Sequence, residues 1–176
     1  MTGRRIHYED AFEDFLRTQG IPYVAVDDDK QTIFGKASIK SFDFVVYSHE
    51  GPNLIVDIKG RKFPDVATAG AKRSTRAWEN WITRQDLDGL TRWQDIFGSD
   101  FQVVLVFAYW LQGKVNTSPF DDVYFYNNSY YAFMAMPLSA YVSFAQPRSE
   151  KWQTIAVPSR IFADNAVDIR RMLNVL

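Results

Sequence analysis

Residues 101–111, FQVVLVFAYWL, form an eleven-residue run without a single charged side chain. Such a run reads as a strand buried in the middle of a sheet, and it is the strongest strand signal in the chain. Two shorter runs, residues 42–48 and 53–59, read the same way, with Gly51, Pro52 and Asn53 supplying the turn between them. Both are apolar on both faces near their middles, which predicts a central position covered by helices. Against that background Asp43, Asp57 and Lys59 stand out. A buried charge is costly unless it is paired or holds a metal.

The remaining elements follow from period and punctuation. Residues 6–19 place Ala11, Phe12, Phe15 and Leu16 on one helical side, with Gly20 as a stop and Pro22 beyond. Residues 23–28 read as a short strand, followed by a connection without a clear form. Residues 60–78 are rich in Gly, Ala, Thr and basic residues, lack a period, and read as a long loop. A second helix is expected from Thr83 to Phe97, opened by a capping box in which Asp86 replaces the usual Glu or Gln. Asn127, Asn128 and Ser129 mark a hairpin turn between DDVYFY and YYAFMAM. A short helix at 138–146, a strand at 154–158 and a last helix near 164–174 complete the reading. The order predicts a mixed α/β fold in one domain, residues 1–176, with a core over about 6–111 and a C-terminal elaboration over about 112–176.

Composition narrows the chemistry. The chain has 176 residues, 47% hydrophobic and 23% charged, enough for a real core. With no cysteine, disulfides, thiol nucleophiles and thiolate metal sites are excluded. Two histidines, His7 and His49, leave little for a His-rich zinc site. No run of about 18 apolar residues and no apolar leader occur, so a cytoplasmic protein with no membrane partner is expected. The net charge of −1 means that any nucleic-acid partner has to be held by a local patch.

Strand alternation gathers the misplaced charges. Asp57 and Lys59, two apart, share a face, and a hairpin turning around Glu50-Gly51 brings Asp43 roughly opposite Asp57 and Ile58. Two carboxylates at close range repel unless a cation joins them or one takes a proton. A hard divalent cation is a natural resolution, since magnesium commonly uses one or two carboxylates and keeps several waters. Lys59 could then orient a water or stabilise charge on a phosphate. A plain ion pair at a strand end is the competing reading, and Asp28-Asp29-Lys30 shows that the same short pattern also occurs in a polar stretch.

Residues 6–59 resemble the core of the PD-(D/E)xK nuclease superfamily, the restriction-endonuclease-like fold: a helix, a three-strand meander, a helix and a further strand. A C-terminal β-hairpin and helical additions would be this chain's own. The first acid lies in FDF, at Asp43, and the second acid and the lysine lie in VDIK, at Asp57 and Lys59. The usual Pro before the first acid is Phe42 here. Many members carry a Glu on the first helix, for which Glu9 suits best and Glu13 is the alternative. HYEDAFE, residues 7–13, also resembles the motif of the little-characterised HYExAFE family, a likeness that continues through IPYVAVD, KSFDFVVYS, VDIKGRKF and ENWITRQDLDGL. His7 and Tyr8 are expected to pack and cap the helix start.

The superfamily resemblance implies a nuclease that hydrolyses phosphodiester bonds, with DNA the expected substrate. Mg²⁺ or Mn²⁺ would be held by Asp43, Asp57, the Ile58 carbonyl and Glu9, and Lys59 would position the water. A homodimer would supply two sites for two strands. Arg61, Lys62, Lys72, Arg73 and Arg76 lie just beyond the cluster and, with Lys59, make six cations against one acid, Asp65, over 18 residues. They are expected to meet phosphates. Trp78, Trp81 and Trp93 are expected mainly in the core, with Trp78 the one exposed for stacking. Two alternatives stay open: an inactive nucleic-acid- or protein-binding module on the same fold, and a buried structural ion network.

Overall fold

The computed structural model describes residues 7–26, 33–34, 37–66 and 77–175. Helix α1 (His7–Thr18) buries Ala11, Phe12, Phe15 and Leu16 completely. Its end is a Schellman turn: Gly20 takes a φ of 66° and donates to Arg17 O, while Ile21 N–H donates to Leu16 O. The chain then forms an antiparallel meander of β1 (Tyr23–Ala25), β4 (Phe44–Val46) and β5 (Asn53–Phe63). A separate two-stranded piece, β2 (Ile33–Phe34) with β3 (Ala37–Ser38), falls between β1 and β4.

Strand β5 runs four residues past its expected end. Its partner explains the length: β7 (Phe101–Leu111) pairs with it in parallel from Asn53↔Phe101 to Phe63↔Leu111. Gly60, Arg61, Lys62 and Phe63 are therefore strand residues, which corrects the expectation of a loop from residue 60. Parallel neighbours need a crossover, and it contains helix α2 (Arg84–Phe97). Thr83 and Asp86 form the expected capping box, each side chain accepting from the other's backbone N–H.

The C-terminal hairpin completes the central sheet. In it β8 (Tyr124–Tyr126) and β9 (Ser129–Pro137) are joined by Asn127 and Asn128, with φ of 45° and 59°, a two-residue turn whose backbone matches strand twist. β9 runs antiparallel to β7, and β12 (Val167–Asp168) pairs with β9 in turn. The sheet order is β1-β4-β5-β7-β9-β12, with β8 also on β9.

A second, three-stranded sheet has the order β10-β11-β6, from Gln146–Ser149, Thr154–Ala156 and Ile82–Thr83. β6 has two residues and β10 contains Pro147 at a sheet edge, so neither carries a periodic signal. Helix α3 spans Leu138–Phe144. The last helix, expected near 164–174, is the shorter α5 (Ile169–Leu173), and an unexpected helix α4 (Ser159–Asn165) precedes it, because β12 pairs with β9 between them and Asp168 then caps α5.

Alternate residues of β5 and β7 feed two cores. Val104, Val106 and Ala108 face α1 and α5, with Phe12, Phe15, Ile169 and Leu173. Val103, Leu105, Phe107 and Tyr109 face α2, α3 and α4, with Leu90, Trp93, Tyr141 and Phe162. Among the described residues no helix is long and apolar enough to cross a membrane.

Candidate functional site

The site forms where β4 stops pairing with β5. The ladder runs to Phe44↔Val56, and Asp43 N–H still reaches Val56 O at 3.0 Å. Beyond it the Asp43 side chain replaces the missing strand: Ile58 N–H donates to Asp43 Oδ2 at 2.5 Å. A strand residue directs its N–H and C=O to the same side, so the Ile58 carbonyl is aimed at this same edge. The next two residues that point with Asp57 toward the α2 side are Lys59 and Arg61.

Asp57 is 5% exposed, and its Oδ2 is buried without an aligned hydrogen-bond donor. The Lys59 ammonium lies 2.6 Å from that oxygen and pairs with it. Burial pushes the Asp57 carboxyl up, and the attraction of Lys59 offsets this only in part. Asp43 is pushed well above the usual carboxylate range, first by burial, then by the charges of Asp57 and Glu9. Asp43 thus feels both Asp57 on β5 and Glu9 on α1. Glu13 is turned elsewhere: Tyr23 OH donates to its Oε1 at 2.9 Å.

Asp86 is the residue that sequence reading placed only in a helix cap. It is 5% exposed, lies 3.3 Å from Lys59 Nζ, and also accepts from Lys40 Nζ. Burial works against its charge, but the Lys59 ammonium, the Lys40 hydrogen bond and the Thr83 N–H bring its pKa down to about 2. Lys59 therefore sits between two carboxylates. Burial alone would lower its pKa; Asp57 and Asp86 outweigh burial, and the net shift is upward. The Lys40 segment is seated on α2 by Trp93 Nε1–H donating to Lys40 O at 2.8 Å, and it packs over Gly89. The pattern Thr-x-x-Asp was the one available signal for Asp86, and it signals a cap equally well.

The donors suit a hard cation. Two mutually repelling carboxylates and a backbone carbonyl at the same edge are oxygen ligands of the kind magnesium takes with waters. No cluster of three or more His, Cys, Asp or Glu side chains able to hold a metal occurs among the described residues. The protein's share of any such site is thus small.

No family model and no curated protein matches the chain. Among solved structures it is similar to Hjc, a Holliday junction resolvase from the archaeal hyperthermophile Archaeoglobus fulgidus, with a TM-score of 0.52 and 12% sequence identity. The likeness covers 95% of this chain and 98% of that one. The chain has the restriction-endonuclease-like fold. Helix α1, the meander β1-β4-β5, helix α2 and strand β7 are the core elements of that fold as expected from the sequence. The HYExAFE likeness rests on the sequence motifs alone.

Within this fold the basic residues divide. Lys62 is exposed, with its ammonium 5.6 Å from the centroid of the Trp110 ring. Arg61 is turned inward: its guanidinium donates to Gly60 O and Trp81 O and lies 4.3 Å from the centroid of the Trp81 ring. Arg61, expected in a loop and against phosphates, is thus a packed strand residue. Lys72, Arg73 and Arg76 lie outside the described residues.

One of the tryptophans differs from expectation. Trp93 is buried, and Trp78 is half-buried against Phe63, Tyr109, Phe120 and Phe162 rather than open for stacking. His7 and Tyr8 pack as expected of a helix start. His7 Nδ1 lies 2.8 Å from Tyr131 OH, and the Tyr8 ring stands over Gly60.

Proposed function

We propose that this protein is a divalent-cation-dependent nuclease that hydrolyses phosphodiester bonds in nucleic acid, with DNA as its substrate. The observation that carries this reading is the pair of buried, mutually repelling carboxylates, Asp43 and Asp57, beside a lysine held charged. The fold supports it, since the similar structure is a resolvase of DNA junctions by its name. Asp43, Asp57 and the Ile58 carbonyl would hold Mg²⁺ or Mn²⁺, with Glu9 toward its hydration shell. Bound there, the cation would make water more acidic and offset phosphate charge.

The chain's own residues have separable tasks. Asp43 and Asp57 orient the water at the strand edge. Lys59, whose pKa is raised, stays protonated at neutral pH and serves as a fixed positive charge against the phosphate rather than as a base. Water oxygen forms the new bond to phosphorus and gives its proton to solvent, one ester P–O bond breaks, and the departing sugar oxygen takes a proton from solvent. Lys62, with Lys72, Arg73 and Arg76, would hold phosphates outside the cleavage point. Two copies of the chain would serve two strands; light scattering of the purified protein with and without DNA checks that homodimer.

The test is cleavage of duplex, single-stranded and branched DNA, and of RNA, with Mg²⁺, Mn²⁺ or EDTA. Wild type is expected to cut with metal alone, while Asp57→Ala and Lys59→Ala lose at least a hundredfold. Folded wild type that cuts none of these substrates overturns the nuclease reading. A binding module without turnover is favoured by one observation, the closure of Lys59 between two carboxylates. Calorimetry separates the two: the nuclease site binds Mg²⁺ or Mn²⁺, and the inactive module does not.

A further inference from the structure

A second set of side chains lies beside the elements that position Lys59. Strand β11 lies on β6 with Thr154 opposite Thr83, and Arg84 N–H donates to Gln153 O at 2.9 Å. The β10–β11 turn is thereby fixed beside the start of α2, two residues from Asp86. On the other flank the Arg148 guanidinium lies 5.5 Å from the centroid of the Trp81 ring, the same ring that carries Arg61 at 4.3 Å. Arg61 follows Lys59 on the same face of β5. The hairpin is thus tied to both elements that position Lys59.

What the hairpin presents is specific. Trp152 is 68% exposed, with the Lys151 ammonium 5.2 Å from its ring centroid. Lys151 and Arg148 on the hairpin, and Arg84 whose backbone is bonded to it, are also exposed, against one acid in the turn, Glu150. A protein-docking patch would need a contiguous apolar surface, whereas a single indole among cations suits a base flanked by phosphates. A base inside a continuous duplex has both faces covered by its neighbours. The ring therefore calls for an unpaired base, at a fork or in a single strand.

We propose that the β10–β11 hairpin grips the substrate strand, with Trp152 stacked on an unpaired base and Arg84, Arg148 and Lys151 against the adjoining phosphates. This rests on the nuclease reading for the identity of the partner and adds the substrate class: nucleic acid with an unpaired segment near the scissile phosphate. It does not depend on turnover.

The experiment is fluorescence anisotropy in EDTA with two labelled DNAs of equal length, a blunt duplex and a duplex carrying a single-stranded arm. Wild type is expected to prefer the armed DNA. Trp152→Ala is expected to lose about tenfold on it and less than twofold on the blunt duplex, with Trp152→Phe retaining most of the affinity. Lys151→Ala is expected to weaken both and to flatten the salt dependence. Unchanged melting temperatures exclude a folding cause for an exposed turn residue. Equal affinity of Trp152→Ala and wild type for the armed DNA overturns the proposal, as does an equal loss on both DNAs. So does wild type that binds neither. Tight, Trp152-dependent binding without cleavage in Mg²⁺ or Mn²⁺ overturns the nuclease reading and leaves the hairpin's role standing.

Discussion

The ring of Tyr8 fills the space that a side chain at residue 60 would need. Helix α1 and strand β5 meet through this contact, one residue beyond Lys59. It explains why a glycine, poor at filling a sheet, is found in mid-strand. Gly60→Ala would drive its Cβ into ring atoms close to the Tyr8 backbone, which cannot swing aside as a side-chain tip would. A loss of about 1 to 3 kcal/mol is expected. Thermal unfolding of Gly60→Ala, Tyr8→Ala and the double variant checks it: the double should lose less than the sum of the singles.

Asp86 makes a stability prediction with a definite pH window. Its folded pKa of about 2 lies below the ordinary value, so its contribution is complete above about pH 4 and is lost as pH falls toward 2. Asp86→Asn keeps an oxygen for the Thr83 N–H but removes the charge. It is expected to cost roughly 2 to 3 kcal/mol at pH 7, a difference that shrinks on acidification. Denaturant melts at pH 7 and pH 3 measure it.

The same variant should alter the reaction. With one of its two carboxylates gone, Lys59 would hold its proton less firmly. The alkaline limb of the pH–rate profile is expected to move to lower pH in Asp86→Asn, while Asp86→Glu moves it back. A role confined to helix capping would lower stability and leave that limb in place. This makes Asp86 a positioning residue for Lys59.

Asp43 works in the opposite sense. Its pKa is raised, so the stability it contributes is present while it is protonated and is lost as pH rises through that raised value. Asp43→Asn is expected to raise the melting temperature at pH 8 without metal by about 2 to 4 °C, the size of a 1 kcal/mol change in a chain of this length, and to change little at pH 3.5. Calorimetric scans at the two pH values check the pair.

Divalent cations should reverse that ranking. Mg²⁺ at 100 times its Kd is expected to stabilise wild type by about 2.7 kcal/mol, and to do little for Asp43→Asn or Asp57→Asn. Equal Mg²⁺ shifts in all three proteins would place the ion elsewhere.

The parts of this arrangement that could be read from the sequence are those fixed by period. The buried face of α1, the eleven residues of β7 and the pairing of Asp43 with the Asp57 side of the hairpin all follow from spacing of 3.6 or 2. The length of β5 did not, because Gly60, Arg61 and Lys62 look like loop residues until a partner strand of equal length lies beside them. The role of Asp86 was hidden for another reason. Its contact with Lys59 crosses 27 positions of sequence and depends on where α2 lands on the sheet. Trp152 carried no periodic signal at all, since it lies in a turn.

Strand β5 carries Asp57 and Lys59 past the end of β4, but is matched residue for residue to β7 over its whole length. The Asp57 and Lys59 amide protons, which point to β7, are expected to exchange with solvent only when the molecule opens as a whole, whereas those of β1 and β12 at the sheet margins exchange through local fraying. Warming would therefore loosen the margins while Asp57 and Lys59 kept their geometry, and the site would be lost in one step, together with the fold.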